Sequence, residues 1–185
     1  MTLSKSILRL ALATAFLLLI PLVAMQFTQE VTRTLLDFVT AGALLFGTGL
    51  TYAVVAQKGG SPTYRVAVGV AVVAGLLLVW ANLAVGLVGS EDNPANLLYG
   101  GVLAVAIGGA VAARFRPLGM SRAMFAAALT YAVVTAVALF IWKPSAATAE
   151  ASVGFANVLG ANAAFAALWA AAGWLFRRAA RPAQA

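Results

Sequence analysis

The chain has no cysteine and no histidine, and only five of its residues are acidic. Without thiols it can form no disulfide and offers no thiolate nucleophile, and without either residue type it lacks the usual ligands of zinc and haem iron. The sequence therefore predicts no cofactor and no metal site. It also predicts no catalytic residues, since no serine, threonine or lysine stands beside a recognisable base and there is no Gly-Lys-Ser/Thr phosphate-binding loop.

Charged residues are scarce and apolar residues abundant. Hydrophobic residues make up 63% of the chain and charged residues 9%, whereas soluble domains contain roughly 25% charged residues. Such a chain must be solvated by lipid, and about 20 apolar residues in a helix cross the hydrocarbon core. Six runs have that length: 7–27, 36–57, 66–89, 95–113, 123–142 and 153–176. The sequence predicts an all-α, polytopic membrane helix bundle of six transmembrane helices, with one integral membrane domain over 1–185 and no soluble domain.

Positive charge alternates between successive connections. Of the twelve Lys and Arg residues, all except Arg33 and Lys143 lie near the N-terminus, in the second and fourth connections, or after the sixth run. The other connections hold these two cations and, within or beside them, all five acidic residues. Because cytoplasmic connections of membrane proteins are enriched in Lys and Arg, both termini are predicted to be cytoplasmic.

The first apolar run has two interpretations. Lys5 and Arg9 followed by apolar residues also describe a secretory signal peptide. The run is longer than the apolar part of most signal peptides, and Leu22-Val23-Ala24 is a poor small-x-small cleavage site. We therefore interpret it as a retained helix, which Pro21 would kink near its outer end.

The stretch from Trp80 to Tyr99, WANLAVGLVGSEDNPANLLY, is the most distinctive local sequence. Asn93 suits the N-cap of the fourth helix and Pro94 its first position, and the preceding acidic residues suit the positive end of the helix dipole. A second interpretation is that this turn forms the mouth of a site open to the outside. The candidate residues of that mouth are Glu91, Asp92, Asn93 and Asn96.

The same stretch resembles one found in small, uncharacterised multi-pass proteins of the bacterial inner membrane. The resemblance is confined to Trp80–Tyr99. It implies a location in the bacterial cytoplasmic membrane and no particular activity.

Three amides lie inside the predicted helices: Asn82, Asn157 and Asn162. An unpartnered amide in lipid is costly, so each needs a hydrogen-bond partner. One interpretation is that they bond between helices and hold the bundle together. The other is that they converge in the outer half of the bundle around a small cavity, because intramembrane polar residues are often functional. The aromatic candidates for that cavity are Trp80, Tyr131 and Trp169.

Two further surfaces follow from the pattern. Small residues at Ala104, Gly108 and Ala112 predict a helix-packing face. The basic margin is predicted to meet anionic lipid headgroups and not nucleic acid, because no basic domain accompanies it. The residues assigned to headgroups are Arg114, Arg116, Arg177 and Arg178.

Three classes of function remain open. A permease or ligand-binding membrane protein would use the polar cavity, and we favour it because buried polar groups in lipid are usually retained for a purpose. An accessory or scaffold subunit would dock a membrane-protein partner or another copy of the chain and needs no chemistry of its own. A membrane-embedded enzyme would require Glu91 or Asp92 to be catalytic.

Overall fold

The computed structural model describes residues 3–27, 34–87, 94–138 and 155–181. The helices are α1 (Leu3–Phe27), α2 (Leu35–Val55), α3 (Pro62–Ala84), α4 (Gly100–Ala112), α5 (Pro117–Ala136) and α6 (Phe155–Ala179). Short 3₁₀ segments, Ala56–Lys58 and Pro94–Tyr99, follow α2 and lead into α4. The prediction of an all-helical chain is confirmed for the described residues, which include six helical segments long and apolar enough to cross a membrane.

Helices α3 and α5 each begin about one turn or more before the corresponding apolar run. Pro62 and Pro117 occupy the first turns of α3 and α5, where proline lacks only an N–H that would be unpaired anyway. Ser61 caps α3, because its Oγ accepts a hydrogen bond from the Tyr64 N–H at 3.2 Å. The apolar runs begin at residues 66 and 123 because they exclude the polar first turns that belong to these helices.

The third helix ends earlier than expected. It stops at Ala84, whereas the apolar run continues to Gly89. Two residues beyond the helix, Gly86 adopts a φ of 70°, a left-handed conformation that helices do not continue through and that glycine tolerates best.

The first compact unit (Met1–Val55) contains α1 and α2. A Cβ placed on Gly42 would lie 3.2 Å from Leu18 Cδ1, and one on Gly49 would lie 2.5 Å from Leu10 Cδ2. The earlier glycine of α2 faces the later leucine of α1, so the two helices are antiparallel. The glycines let the α1 leucines approach the α2 backbone closely, as small residues do between helices in lipid.

The second compact unit (Ala56–Ala185) contains α3, α4, α5 and α6. Helices α3 and α6 pack antiparallel along much of their length. Near the beginning of α3 the Tyr64 ring meets the Phe176 ring edge-on, with centroids 5.2 Å apart. Further along, a Cβ on Gly75 would lie 3.9 Å from Trp169 Cη2.

Helix α4 packs on α5 through a face other than the predicted one. Ala104, Gly108 and Ala112 are exposed, and a side chain at Gly108 would meet no described atom within 4 Å. A Cβ at the adjacent Gly109 would instead lie 2.7 Å from Ala123 Cβ. The α4–α5 contact therefore uses the face next to the predicted one, because neighbouring helix residues point about 100° apart.

Tyr64 joins three elements at one end of the second unit. Its hydroxyl donates a hydrogen bond of 2.8 Å to the Phe115 carbonyl in the α4–α5 turn, while its ring contacts Phe176 near the end of α6. This end, called the basic end below, carries exposed cations from all three elements. They are Arg65, Arg114, Arg116, Arg177 and Arg178.

Candidate ligand site

A hydroxyl and amide cluster lies in the core of the second unit, away from the basic end. It comprises Tyr99, Tyr131, Thr135 and Asn162, called the Asn162 cluster below. All four are buried, and Asn162 is only 2% exposed. The members come from the segment before α4, from the second half of α5 and from the first half of α6.

One amide oxygen organises the cluster. Asn162 Oδ1 accepts hydrogen bonds from the hydroxyls of Tyr99 (2.8 Å), Tyr131 (3.1 Å) and Thr135 (3.2 Å). The hydroxyls of Tyr99 and Thr135 also lie 3.2 Å apart. A carbonyl oxygen has two lone pairs, so three hydroxyls compete for two acceptor positions. At least one hydroxyl hydrogen can therefore turn to another acceptor without leaving Asn162 unbonded.

Two members of the cluster stand beside departures from α-helical geometry. Tyr99 is the last residue of the 3₁₀ segment that leads into α4. Thr135 precedes a short π-helical segment at residues 137–138. In membrane proteins, irregular helix geometry is tolerated where the backbone is buried in protein or lines a cavity, and it often marks a functional position.

The 3₁₀ segment also lengthens the fourth of the helical segments that are long and apolar enough to cross a membrane. Helix α4 has 13 residues, about 20 Å at 1.5 Å per residue, which is short of the roughly 30 Å hydrocarbon core. Its preceding 6 residues add about 12 Å at 2.0 Å per residue. Asn96 secures this segment, because its Oδ1 accepts a 2.9 Å hydrogen bond from the Leu87 N–H.

The tyrosine rings of the cluster pack against each other and against Phe165. The rings of Tyr99 and Tyr131 lie 5.1 Å apart at 57°, and the Tyr131 ring stacks on Phe165 at 5.8 Å and 13°. Phe165 lies three residues after Asn162, on the same face of α6. The rings fix the hydroxyls in place, so the geometry of the cluster is set by packing as well as by hydrogen bonds.

Two other buried polar atoms have no hydrogen-bond partner among the described residues. They are Asn82 Oδ1 in α3 and Trp169 Nε1 in α6. The amide group of Asn82 donates to the Leu78 carbonyl of its own helix at 2.9 Å. Trp169 is 2% exposed.

The residues predicted for the cavity occupy different environments. Tyr131 and Asn162 meet in the Asn162 cluster, and Trp169 is buried on the same face of α6. Trp80 is 48% exposed, since two residues along a helix place it about 200° from Asn82. The side chain of Asn157 lies outside the described residues.

The predicted mouth is described at only one of its positions. Glu91, Asp92 and Asn93 lie outside the described residues. Asn96 is buried and bonds to the Leu87 backbone. That contact positions the start of the fourth span, in which Tyr99 lies.

Sequence reasoning missed Tyr99 and Thr135. Thr135 follows Tyr131 by four residues, so helical spacing alone places both on one face of α5. Tyr99 closes the distinctive stretch that begins at Trp80. Its position beside α5 and α6 depends on the 3₁₀ geometry of residues 94–99, for which the sequence carries no clear signal.

The Asn162 cluster suits an uncharged polar ligand. Its members are hydroxyls and an amide, and the described part of the second unit contains no Asp or Glu. No group of three or more His, Cys, Asp or Glu residues occurs in the described ranges. Burying an ion without a countercharge is costly, so the cluster favours a ligand that exchanges neutral hydrogen bonds.

Comparisons of this chain with protein-family models, with curated proteins and with solved structures find no match.

Proposed function

We propose that this chain is a multi-pass membrane protein whose second unit binds a small, uncharged polar solute at the Asn162 cluster and lets it cross the membrane. The observation that carries the proposal is the shared amide oxygen of Asn162, for which three buried hydroxyls compete. An O–H or N–H of the solute can replace Tyr99 or Thr135 as a donor to Asn162 at little cost, because the displaced hydroxyl can turn to the other hydroxyl, 3.2 Å away.

The proposed membrane is the bacterial cytoplasmic membrane, with both termini in the cytoplasm. The alternation of Lys and Arg between connections supports this orientation. The resemblance of Trp80–Tyr99 to bacterial inner-membrane proteins supports the location. In this orientation the basic end faces the cytoplasm and the Asn162 cluster lies in the outer half of the bundle.

Anionic lipid headgroups are the proposed partners of the basic end. Arg114 and Arg116 flank the α4–α5 turn, while Arg177 and Arg178 extend from the last turn of α6. The Arg178 guanidinium carbon lies 3.9 Å from the centroid of the Trp174 ring. A cation held against an indole in this way is typical of the membrane interface, where both groups are favoured.

Solute flux tests the proposed function. The purified protein, reconstituted in liposomes, is exposed to glycerol or urea gradients while vesicle volume is followed by stopped-flow light scattering. We expect faster equilibration than in protein-free liposomes. Thr135→Val should slow it by about fivefold or more, because a buried hydrogen bond to the solute or to Asn162 is lost.

Thr130→Val is the matched control. Thr130 lies on the same helix, and its hydroxyl donates to the Ala126 carbonyl of its own helix at 2.9 Å. We expect its flux to equal that of the unaltered protein. Equal flux through both valine variants, or no flux above that of empty liposomes, would contradict the proposal.

An accessory subunit is the second candidate, and the first unit favours it. No described residue of α2 is buried, and the spanning part of α1 likewise has none. Two apolar helices with so little buried surface can dock on another membrane protein. Native mass spectrometry after mild extraction decides between the candidates, since an accessory subunit requires a stoichiometric partner protein and an autonomous permease does not.

A further inference from the structure

Two unpartnered polar atoms lie on α3 and α6, two helices that pack against each other. Trp169 Nε1 is a hydrogen-bond donor and Asn82 Oδ1 is an acceptor, and neither has a partner in the described part of the chain. An unmade hydrogen bond at a buried site is expensive, so native proteins rarely leave one without a reason. The two atoms have opposite hydrogen-bonding requirements.

Both residues lie on faces that point into the second unit. A Cβ on Gly75 would lie 3.9 Å from Trp169 Cη2 and 3.6 Å from Leu103 Cδ2. The Trp169 ring is therefore directed to the place where α3, α4 and α6 meet. Asn82 follows Gly75 by seven residues, two helical turns, and so continues the same face of α3.

Trp169 is also continuous with the Asn162 cluster. Asn162, Phe165 and Trp169 follow one another at spacings of three and four residues, which is one face of α6. Phe165 stacks on Tyr131 of the cluster. The Trp169 indole therefore lies about two turns from Asn162 along the same face.

The unpartnered atoms differ from the cluster in what they require of a ligand. Each hydroxyl of the cluster already has a protein neighbour, so a solute there exchanges one bond for another. At Trp169 and Asn82 a solute would add bonds that the protein does not otherwise make. These two residues therefore discriminate most strongly between solutes that can form the bonds and solutes that cannot.

We propose that Trp169 and Asn82 select the solute of the second unit: the indole N–H donates to it and the Asn82 carbonyl accepts from it. This inference rests on the proposed function and names its substrate class. The class is small uncharged molecules that carry both an acceptor oxygen and an O–H or N–H donor, such as amides and polyols. Pure acceptors satisfy only Trp169. An anion would have to be buried beside two neutral groups, because the described arginines of the unit are exposed, and burying an ion without a countercharge is costly.

Three molecules of similar size separate these cases. Acetamide accepts and donates, acetone only accepts, and acetate is charged. The full-length protein labelled with ¹⁵N-tryptophan in nanodiscs gives indole N–H signals that single Trp→Phe variants assign. We expect acetamide to shift the Trp169 signal saturably. Acetone should saturate only at about tenfold higher concentration, because one bond is missing. Acetate should give no saturable shift.

Trp174 and the Asn82→Leu variant serve as controls for specific binding at Trp169. Trp174 is 48% exposed, so its indole reports bulk solvent effects, and its signal should not saturate. Asn82→Leu should weaken acetamide binding by about tenfold, bringing it close to that of acetone. Without solute, Asn82→Leu should melt close to the temperature of the unaltered protein, since losing the bond to the Leu78 carbonyl is offset by removing an unpartnered buried oxygen.

The outcomes separate this inference from the proposed function. A Trp169 signal that never saturates, or an Asn82→Leu variant with unchanged acetamide affinity, would overturn the selection by these residues. If flux in liposomes still depends on Thr135, the proposed function survives that result. If Thr135→Val leaves the flux unchanged while the Trp169 signal saturates, the proposed function is contradicted and selective binding at Trp169 and Asn82 stands.

Discussion

At the scale of single residues, the polar core of the second unit is characterised by which buried donors and acceptors have hydrogen-bond partners, and not by charge. Asn162 Oδ1 serves three hydroxyls, whereas Trp169 Nε1 and Asn82 Oδ1 have no described partner. All these side chains are uncharged, so none carries the large desolvation cost of an ion in lipid. Neutral groups of this kind can be placed deep in a helical bundle and still remain able to exchange partners.

Backbone strain at one residue gives the first stability prediction. Arg114 in the α4–α5 turn has a φ of 49°, a left-handed conformation that costs a residue with a Cβ roughly 1–2 kcal/mol. Arg114→Gly should therefore raise the free energy of unfolding by about 1 kcal/mol, after the greater backbone entropy of unfolded glycine is counted. Equilibrium unfolding in mixed detergent micelles measures the change.

Arg116→Gly is the control, because it removes the same charge from the same turn. Arg116 has a φ of −71°, which any residue adopts without strain. We expect no gain in stability from this variant. If both variants change stability equally, charge and not backbone conformation is the cause.

At the scale of elements, close backbone approach decides which face of a helix packs. Helix α4 offers small residues on two neighbouring faces, and only the face that contains Gly109 meets α5. The other face, with Ala104 and Gly108, is exposed. A series of small residues in the sequence therefore permits a close contact without specifying which helix makes it.

Adjacent glycines in α4 provide the corresponding prediction. Gly109→Ala places a methyl group 2.7 Å from Ala123 Cβ, so α4 and α5 must separate, and we expect a loss of about 1–3 kcal/mol in stability. Gly108→Ala meets no described atom within 4 Å and should gain about 0.5–1 kcal/mol from helix propensity. Thermal unfolding of both variants in the same detergent distinguishes them. Equal melting temperatures would contradict the α4–α5 contact.

At the scale of the whole molecule, chemistry is separated along the axis of the second unit. At the basic end, Tyr64 at the start of α3 contacts both the α4–α5 turn and the end of α6. The Asn162 cluster forms from the opposite ends of α4, α5 and α6. Antiparallel packing produces this separation, because each helix brings its cationic end to one side and its hydroxyl or amide to the other.

The proposed orientation has a direct test, since the chain has no cysteine and any introduced thiol is unique. Gly60→Cys lies in a connection predicted to be cytoplasmic, and Ser90→Cys in one predicted to be external. In bacterial spheroplasts, a membrane-impermeant maleimide should label Ser90→Cys at once and Gly60→Cys only after the membrane is permeabilised. The reverse pattern would place both termini outside.

The sequence by itself determined the helical class and the number of helical segments long and apolar enough to cross a membrane, because lipid requires long apolar runs whose backbone bonds are made within each segment. It also indicated Tyr131, Asn162 and Trp169, since polar and amphipathic side chains stand out in apolar helices. The tertiary structure decided which of them meet. Thr135 joins the cluster through its place beside α6, and Tyr99 through the 3₁₀ geometry of residues 94–99. Trp80 is turned outward by its position on α3. Contacts between helices depend on register and rotation, and a composition rich in Ala, Val and Leu constrains neither.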